Sequence, residues 1–104
     1  MEKLQAEHTH SAKTLLKMKD KVKEQLPKWF EGEVYEIGDE VSNPYSGETV
    51  LLDAAELSMY DCVKGAEMAM YIGLGDIDEC IDIIRQGQDW FLARNPDAYM
   101  ILLD

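Results

Sequence analysis

The sequence predicts a mostly α domain of the α+β class, with four helices and a small antiparallel β-hairpin between the first helix and the second. A turn-forming loop between two short β-branched runs predicts the hairpin. Apolar residues spaced three or four apart predict the helices, and two Asp-x-x-Glu patterns predict where two of them begin. Because 104 residues suffice for only one core, we expect a single domain over residues 1–104.

Residues 1–30 are expected to form one long Lys-rich helix, which Pro27 stops or kinks because proline lacks a backbone N–H. We expect the first ten residues, with His8 and His10, to fray and to bind no metal. The apolar positions of this helix form a narrow stripe, which is typical of a helix–helix seam. The stripe either pairs with a second copy or completes a monomeric bundle. This candidate interaction stripe consists of Leu15, Met18, Val22, Leu26 and Trp29.

Residues 33–52 form the predicted hairpin region. Asn43 can hydrogen-bond forward to the backbone of its loop, and Gly47 can adopt positive φ where the chain re-enters a strand. The extended segment 32–40 lies beside these strands in sequence, so we expect a sheet of two or three strands. Such a small sheet needs a helix to pack on.

Residues 53–104 form the predicted acidic helical region. A capping box of Asp53 and Glu56 predicts a helix over residues 54–72. This second helix is apolar around most of its circumference, so we expect it to be buried from two sides, with its second face either under the hairpin or in an oligomer contact. One of its faces carries Ala55, Met59, Cys62, Val63, Ala66, Ala69 and Met70, and the other half carries Leu57, Tyr60, Met68 and Tyr71.

Asp76 and Glu79 form a second predicted capping box, which starts a third helix over residues 77–94. Gly87 lies inside this helix, where glycine costs about 1 kcal/mol relative to alanine, and this indicates a close crossing with the second helix. A last short helix is expected over residues 96–103. The predicted buried face of the third helix consists of Ile77, Cys80, Ile81, Ile84, Gly87 and Phe91.

Charge is distributed unevenly along the chain, whose formal net charge is −11. Residues 1–30 carry seven Lys and four acids, a net of +3, whereas residues 31–104 carry three basic residues and 17 acids, a net of −14. This balance argues against direct binding of nucleic acid, since phosphates require a basic surface. No apolar run approaches the roughly 20 residues that span a bilayer, so we expect no membrane partner.

Catalytic and cofactor signatures are absent from the sequence, so we expect no catalytic residues, no cofactor and no metal. Cys62 and Cys80 form no Cys-x-x-Cys pair and fall on apolar faces, which indicates buried, reduced thiols in a cytoplasmic protein. One alternative is a small-molecule site or an enzyme with a pocket between the hairpin and the second helix. Its lining would include Tyr45, Tyr60 and Asp61.

The residues Val41-x-Asn43-Pro44-x-Ser46-Gly47-x-x-Val50, followed by Glu56, Tyr60-Asp61 and Gly65-Ala66, carry a resemblance. This pattern resembles a group of short uncharacterised acidic proteins encoded by tailed phages of marine bacteria and seen in marine environmental sequence. The resemblance implies a phage or environmental bacterial origin, and the host cytoplasm as the location of a phage-encoded protein. It implies no activity.

The features together favour a non-enzymatic interaction module that assembles with itself or with another protein. A second hypothesis is an acidic decoy that mimics nucleic acid and occupies a DNA-binding protein.

Overall fold

The computed structural model describes residues 11–104, and the predicted fold class is confirmed. Within these residues, four helices accompany one antiparallel hairpin, which lies between the first helix and the second. The elements are α1 (Ala12–Glu24), β1 (Asp39–Ser42), β2 (Thr49–Leu52), α2 (Ala54–Ile72), α3 (Ile77–Arg94) and α4 (Pro96–Leu102). The predictions for His8, His10 and the fraying of the first ten residues lie outside the described residues.

Helix α1 begins where the Ser11 side chain accepts a hydrogen bond from the Thr14 N–H. It ends at Glu24, before Pro27, so the predicted stripe does not lie on one continuous helix. Leu26 and Trp29 lie beyond the end of α1. Its polar face carries lysines, and two of them occupy the last turn, where cations complement the helix dipole.

The hairpin pairs Asp39 with Leu52 at one end and Ser42 with Thr49 at the other. Asn43 shapes its turn as predicted, because the Asn43 Oδ1 accepts hydrogen bonds from the backbone N–H groups of Tyr45 and Ser46, at 2.7 and 3.2 Å. Gly47 takes a φ of +80°. A third strand does not form over residues 32–38. The Tyr35 backbone N–H donates to the Ser58 Oγ of α2 at 3.0 Å instead of to a strand.

The start and end of α2 agree with the prediction. The Glu56 N–H donates to the Asp53 Oδ1 at 2.8 Å, and the Asp53 N–H donates to the Glu56 Oε1 at 3.0 Å, which completes the capping box. Gly73 closes the helix with a φ of +77°.

Helix α3 begins at a simpler cap than the sequence predicts. Asp76 accepts from the N–H groups of Asp78 and Glu79, but Glu79 makes no return hydrogen bond to the Asp76 N–H in the described residues. The same helix ends at Arg94, and the side chain of the next residue, Asn95, accepts from the Ala98 N–H and thereby starts α4.

The core lies where α2 packs on α3, with the end of α1, the hairpin and α4 covering its margins. Gly87 confirms the predicted close crossing, because a Cβ atom built there would lie 2.5 Å from the Val63 Cγ2. The prediction that Ile77 and Ile81 are buried is wrong, since 58% and 41% of their surfaces are exposed. The core residues are Val22, Leu26, Phe30, Leu52, Ala55, Met59, Val63, Phe91, Ala98 and Leu102.

We call the end of the α2–α3 pair where α2 starts and α3 ends the base. There, Arg94 of α3 joins its own helix to the start of α2 and to the segment after α1. Its guanidinium donates to the Gln25 Oε1 at 2.6 Å and to the Asp53 Oδ2 at 2.8 Å. It also lies 3.4 Å from the Glu56 Oε2 and stacks over the Trp90 ring at 5.2 Å. Because Glu56 is buried, this cation offsets part of the cost of burying its carboxylate.

Among the described residues, no helix combines the length and the apolar character needed to cross a membrane.

Candidate interaction surface

The α2–α3 pair ends opposite its base in a tight turn, which we call the tip. Gly73 and Gly75 both take left-handed φ values, +77° and +78°, so the chain reverses within four residues. Every residue from Tyr71 to Glu79 is exposed. The tip is therefore formed from apolar and acidic side chains that no other part of the described chain covers.

Large apolar side chains cluster at this tip. The exposed fraction reaches 87% for Tyr71, 61% for Leu74 and 58% for Ile77. Ile77, Ile81 and Ile84 share one side of α3, since they are spaced four and three residues apart. A shallow cavity of about 270 Å³ bordered by Met70, Tyr71 and Ile84 joins this side to α2. We define the helical-tip patch as Met70, Tyr71, Leu74, Ile77, Ile81 and Ile84.

Acidic residues lie near the helical-tip patch, and we call them the acidic rim. Residues 64–85 contain five acids and two basic residues, a net of −3. One of these acids, Glu67, borders the same shallow cavity and pairs with Lys64 at 3.1 Å. An exposed apolar patch with a charged rim is the form expected of a protein-docking surface.

The predicted interaction stripe is divided between the core and the surface. Val22 and Leu26 are buried in the core of the same chain, so neither is available to a partner. Leu15 and Met18 are half-buried, and Trp29 is half-buried at the edge of a groove. The buried part of the stripe therefore anchors the end of α1 to its own chain, which is one of the two roles that the sequence left open, since periodicity does not identify the surface that a face covers.

The three residues predicted to line a pocket lie on two elements, Tyr45 in the turn of the β-hairpin and Tyr60 and Asp61 on α2. Tyr45 is 96% exposed at the hairpin turn. Tyr60 lies beside Lys64, whose Nζ is 5.9 Å from the ring centroid, and Asp61 accepts a hydrogen bond from the Tyr35 hydroxyl at 3.1 Å. Partial burial, together with this hydrogen bond and the charge of Asp61, raises the pKa of the Tyr35 phenol.

A larger groove lies between α3 and the segment that precedes the hairpin. Its volume is about 500 Å³, and Cys62 of α2 lies in its wall. Burial, with a smaller effect from the charge of Asp61, raises the pKa of the Cys62 thiol, so the thiol remains protonated and is a weak nucleophile near neutral pH. The other lining residues are Trp29, Glu31, Gly32, Glu79, Asp82, Ile83 and Gln86.

The cysteines are both free thiols, as predicted, and Cys80 is buried, whereas Cys62 is only half-buried. Over residues 11–104, no three His, Cys, Asp or Glu side chains converge as a metal site would require. Comparison with family models, with curated proteins and with solved structures finds no match to this chain.

Proposed function

We propose that the protein is a non-enzymatic interaction module whose helical-tip patch binds a second copy of the chain. The observation that carries this proposal is the exposure of Tyr71, Leu74 and Ile77, which all lie at the tip of the α2–α3 pair. Covering one side chain of this size contributes about 1.5–3 kcal/mol, so covering the patch would contribute several times that amount before the entropy cost of association.

Charge supports a second copy as the occupant of the patch. The acidic rim disfavours anionic partners such as nucleic acid and acidic lipid surfaces. The chain itself carries a complementary region, since residues 1–30 have a net charge of +3 against −14 in the rest. An acidic decoy requires carboxylates spaced like phosphates along one surface, and this hypothesis stays a prediction.

Light scattering across a dilution series tests the proposal. We expect the parent to dimerise as its concentration rises, and Tyr71→Glu and Ile77→Glu to remain monomeric because each buries a charge in the contact. Leu51→Glu is the matched control, since Leu51 is also exposed, at 73%, but lies on the hairpin. A parent that stays monomeric throughout, or one whose dimer survives both tip substitutions, contradicts the proposal.

A small-molecule site in the larger groove is a second candidate function. The volume of about 500 Å³ falls in the range of ligand pockets. The ring of Trp29 beside the carboxylates of Glu31 and Glu79 suits an organic cation such as an amine. A panel of amines should then raise the melting temperature of the parent and not that of Trp29→Ala. If no amine shifts the parent, this candidate is wrong.

A further inference from the structure

We infer that helix α1 of the second copy covers the helical-tip patch. In the dimer, α1 of each copy packs on the tip of the other. This inference rests on the proposed self-association and names the contact that produces it.

Charge distinguishes α1 from the other surfaces that could cover the tip. Helix α1 carries five lysines against Asp20 and Glu24, a net of +3. Residues 64–85 at the tip, which include the paired Lys64 and Arg85, carry five acids and two basic residues, a net of −3. A contact between two tips would oppose two surfaces of net negative charge, whereas a contact between α1 and a tip opposes unlike charges. Such complementarity selects the partner surface and its orientation.

Helix α1 also has apolar surface that the rest of the described chain leaves partly uncovered. Leu16 is 62% exposed, and Leu15 and Met18 are only half-buried. Val22, near the end of the helix, is the one residue of α1 that is buried. Lysine stems can extend this apolar surface while their ammonium groups reach the acidic rim. An amphipathic helix on an apolar patch is a common mode of protein recognition.

The α1 of the same chain does not cover the tip. Gln25, which follows α1, is held at the base by its hydrogen bond to Arg94. Helix α2 separates this base from the tip by roughly 28 Å, given its 19 residues and 1.5 Å per residue. Residues 71–79 remain exposed in the single chain. If each α1 covers the tip of the other copy, a two-fold axis relates the two contacts and closes the dimer.

A charge-exchange experiment tests this contact. The first variant combines Lys13→Glu with Lys17→Glu, both exposed positions on α1, and the second combines Glu67→Lys with Asp78→Lys at the rim of the patch. The first variant has −1 on α1 against −3 at the tip, and the second has +3 on α1 against +1 at the tip. Each variant alone therefore opposes like charges in both contacts of its dimer, so we expect its dimer dissociation constant to rise at least tenfold. In an equimolar mixture both contacts regain unlike charges, and native mass spectrometry should detect the mixed dimer.

The outcomes separate this inference from the proposed function. A tip-to-tip dimer would leave the α1 variant unchanged and would tighten the rim variant, which overturns the inference while Tyr71→Glu still abolishes the dimer. A monomeric parent overturns the proposed function itself. Circular dichroism melts establish that both variants are folded. The parent supplies a test without substitutions: its dimer should weaken as salt rises if α1 meets the tip, and should strengthen if two acidic tips meet.

Discussion

A glycine in the middle of α3 allows α2 and α3 to pack closely. A Cβ at Gly87 would lie 2.5 Å from the Val63 Cγ2 and 3.2 Å from the Met59 Sδ. Val63 is fully buried and β-branched, so its side chain has one strongly preferred rotamer and little space into which it can turn. The cost of glycine inside a helix is therefore offset at this position by close contact between the two helices.

Gly87→Ala is expected to lower the free energy of unfolding, because an overpacking cost of roughly 1–3 kcal/mol exceeds the gain in helix propensity of about 1 kcal/mol. Gly65 on α2 is the matched control, since a Cβ there would have no neighbouring atom within 4 Å. Gly65→Ala should raise the free energy of unfolding by about 0.5–1 kcal/mol. Urea denaturation measures both, and an equal gain at both positions would show that the crossing tolerates a Cβ.

At the scale of elements, the signals that the sequence carries locally predicted the structure well. The capping box of Asp53 and Glu56 and the turn chemistry of Asn43 and Gly47 depend on residues within five positions of each other. The bounds of α2 and the hairpin followed from them. The extended segment before the hairpin was harder, because the partner of its Tyr35 N–H is Ser58, 23 residues further along the chain.

The candidate surface could not be predicted because periodicity assigns a residue to a face of a helix but does not show where the covering partner ends. Ile77 and Ile81 follow the spacing of Ile84 and Cys80, yet they lie beside an uncovered tip. The one local signal was Leu74 between two glycines, which places a large apolar side chain in a turn. An apolar residue in a tight turn is exposed unless another element covers it.

Asn43 connects the β-hairpin to α4, so a substitution at Asn43 tests how much this connection stabilises the fold. Its Nδ2 donates to the Ile101 carbonyl at 2.8 Å, while its Oδ1 organises the turn. Asn43→Asp keeps the turn acceptor and removes the donor, so it should lower the free energy of unfolding by about 1–3 kcal/mol.

Ser46→Ala is the control for Asn43→Asp, because Ser46 is exposed in the same turn and only accepts from the Glu48 N–H. Its effect should stay within about 0.5 kcal/mol. Thermal or urea denaturation of both variants suffices. Equal effects would mean that the turn, and not its attachment to α4, is what the substitution at Asn43 disturbs.

At the scale of the whole molecule, Arg94 connects parts of the chain that are distant in sequence. It joins the end of α1, the start of α2 and the end of α3 through Gln25, Asp53 and Glu56. Without Arg94, the buried Glu56 carboxylate would keep its contact within the capping box. In the described residues, the Asn95 amide would be its one contact beyond α2 and that box. The sequence did not predict this cluster, since no local pattern links residues 41 and 69 positions apart.

Arg94→Ala is therefore expected to lower the free energy of unfolding by about 2–4 kcal/mol, with partial exposure of Arg94 keeping the loss below that of a fully buried pair. Arg85→Ala is the matched control, because within residues 11–104 Arg85 pairs only with Asp82, on the exposed side of the same helix. Its effect should be below about 1 kcal/mol. Chemical denaturation distinguishes the two, and similar losses would contradict a special role for the base.

The position of Arg94 also divides the α2–α3 pair into a stable end and a labile one. Polar side chains from different elements cross-link the base, whereas the ion pairs described nearest the tip, Lys64–Glu67 and Arg85–Asp82, each lie within one helix. Local unfolding should therefore require least free energy at the tip and most at the base. Amide hydrogens near Gly73 would exchange fastest within this pair of helices. The surface that we assign to docking thus lies on the end that a bound partner would order most.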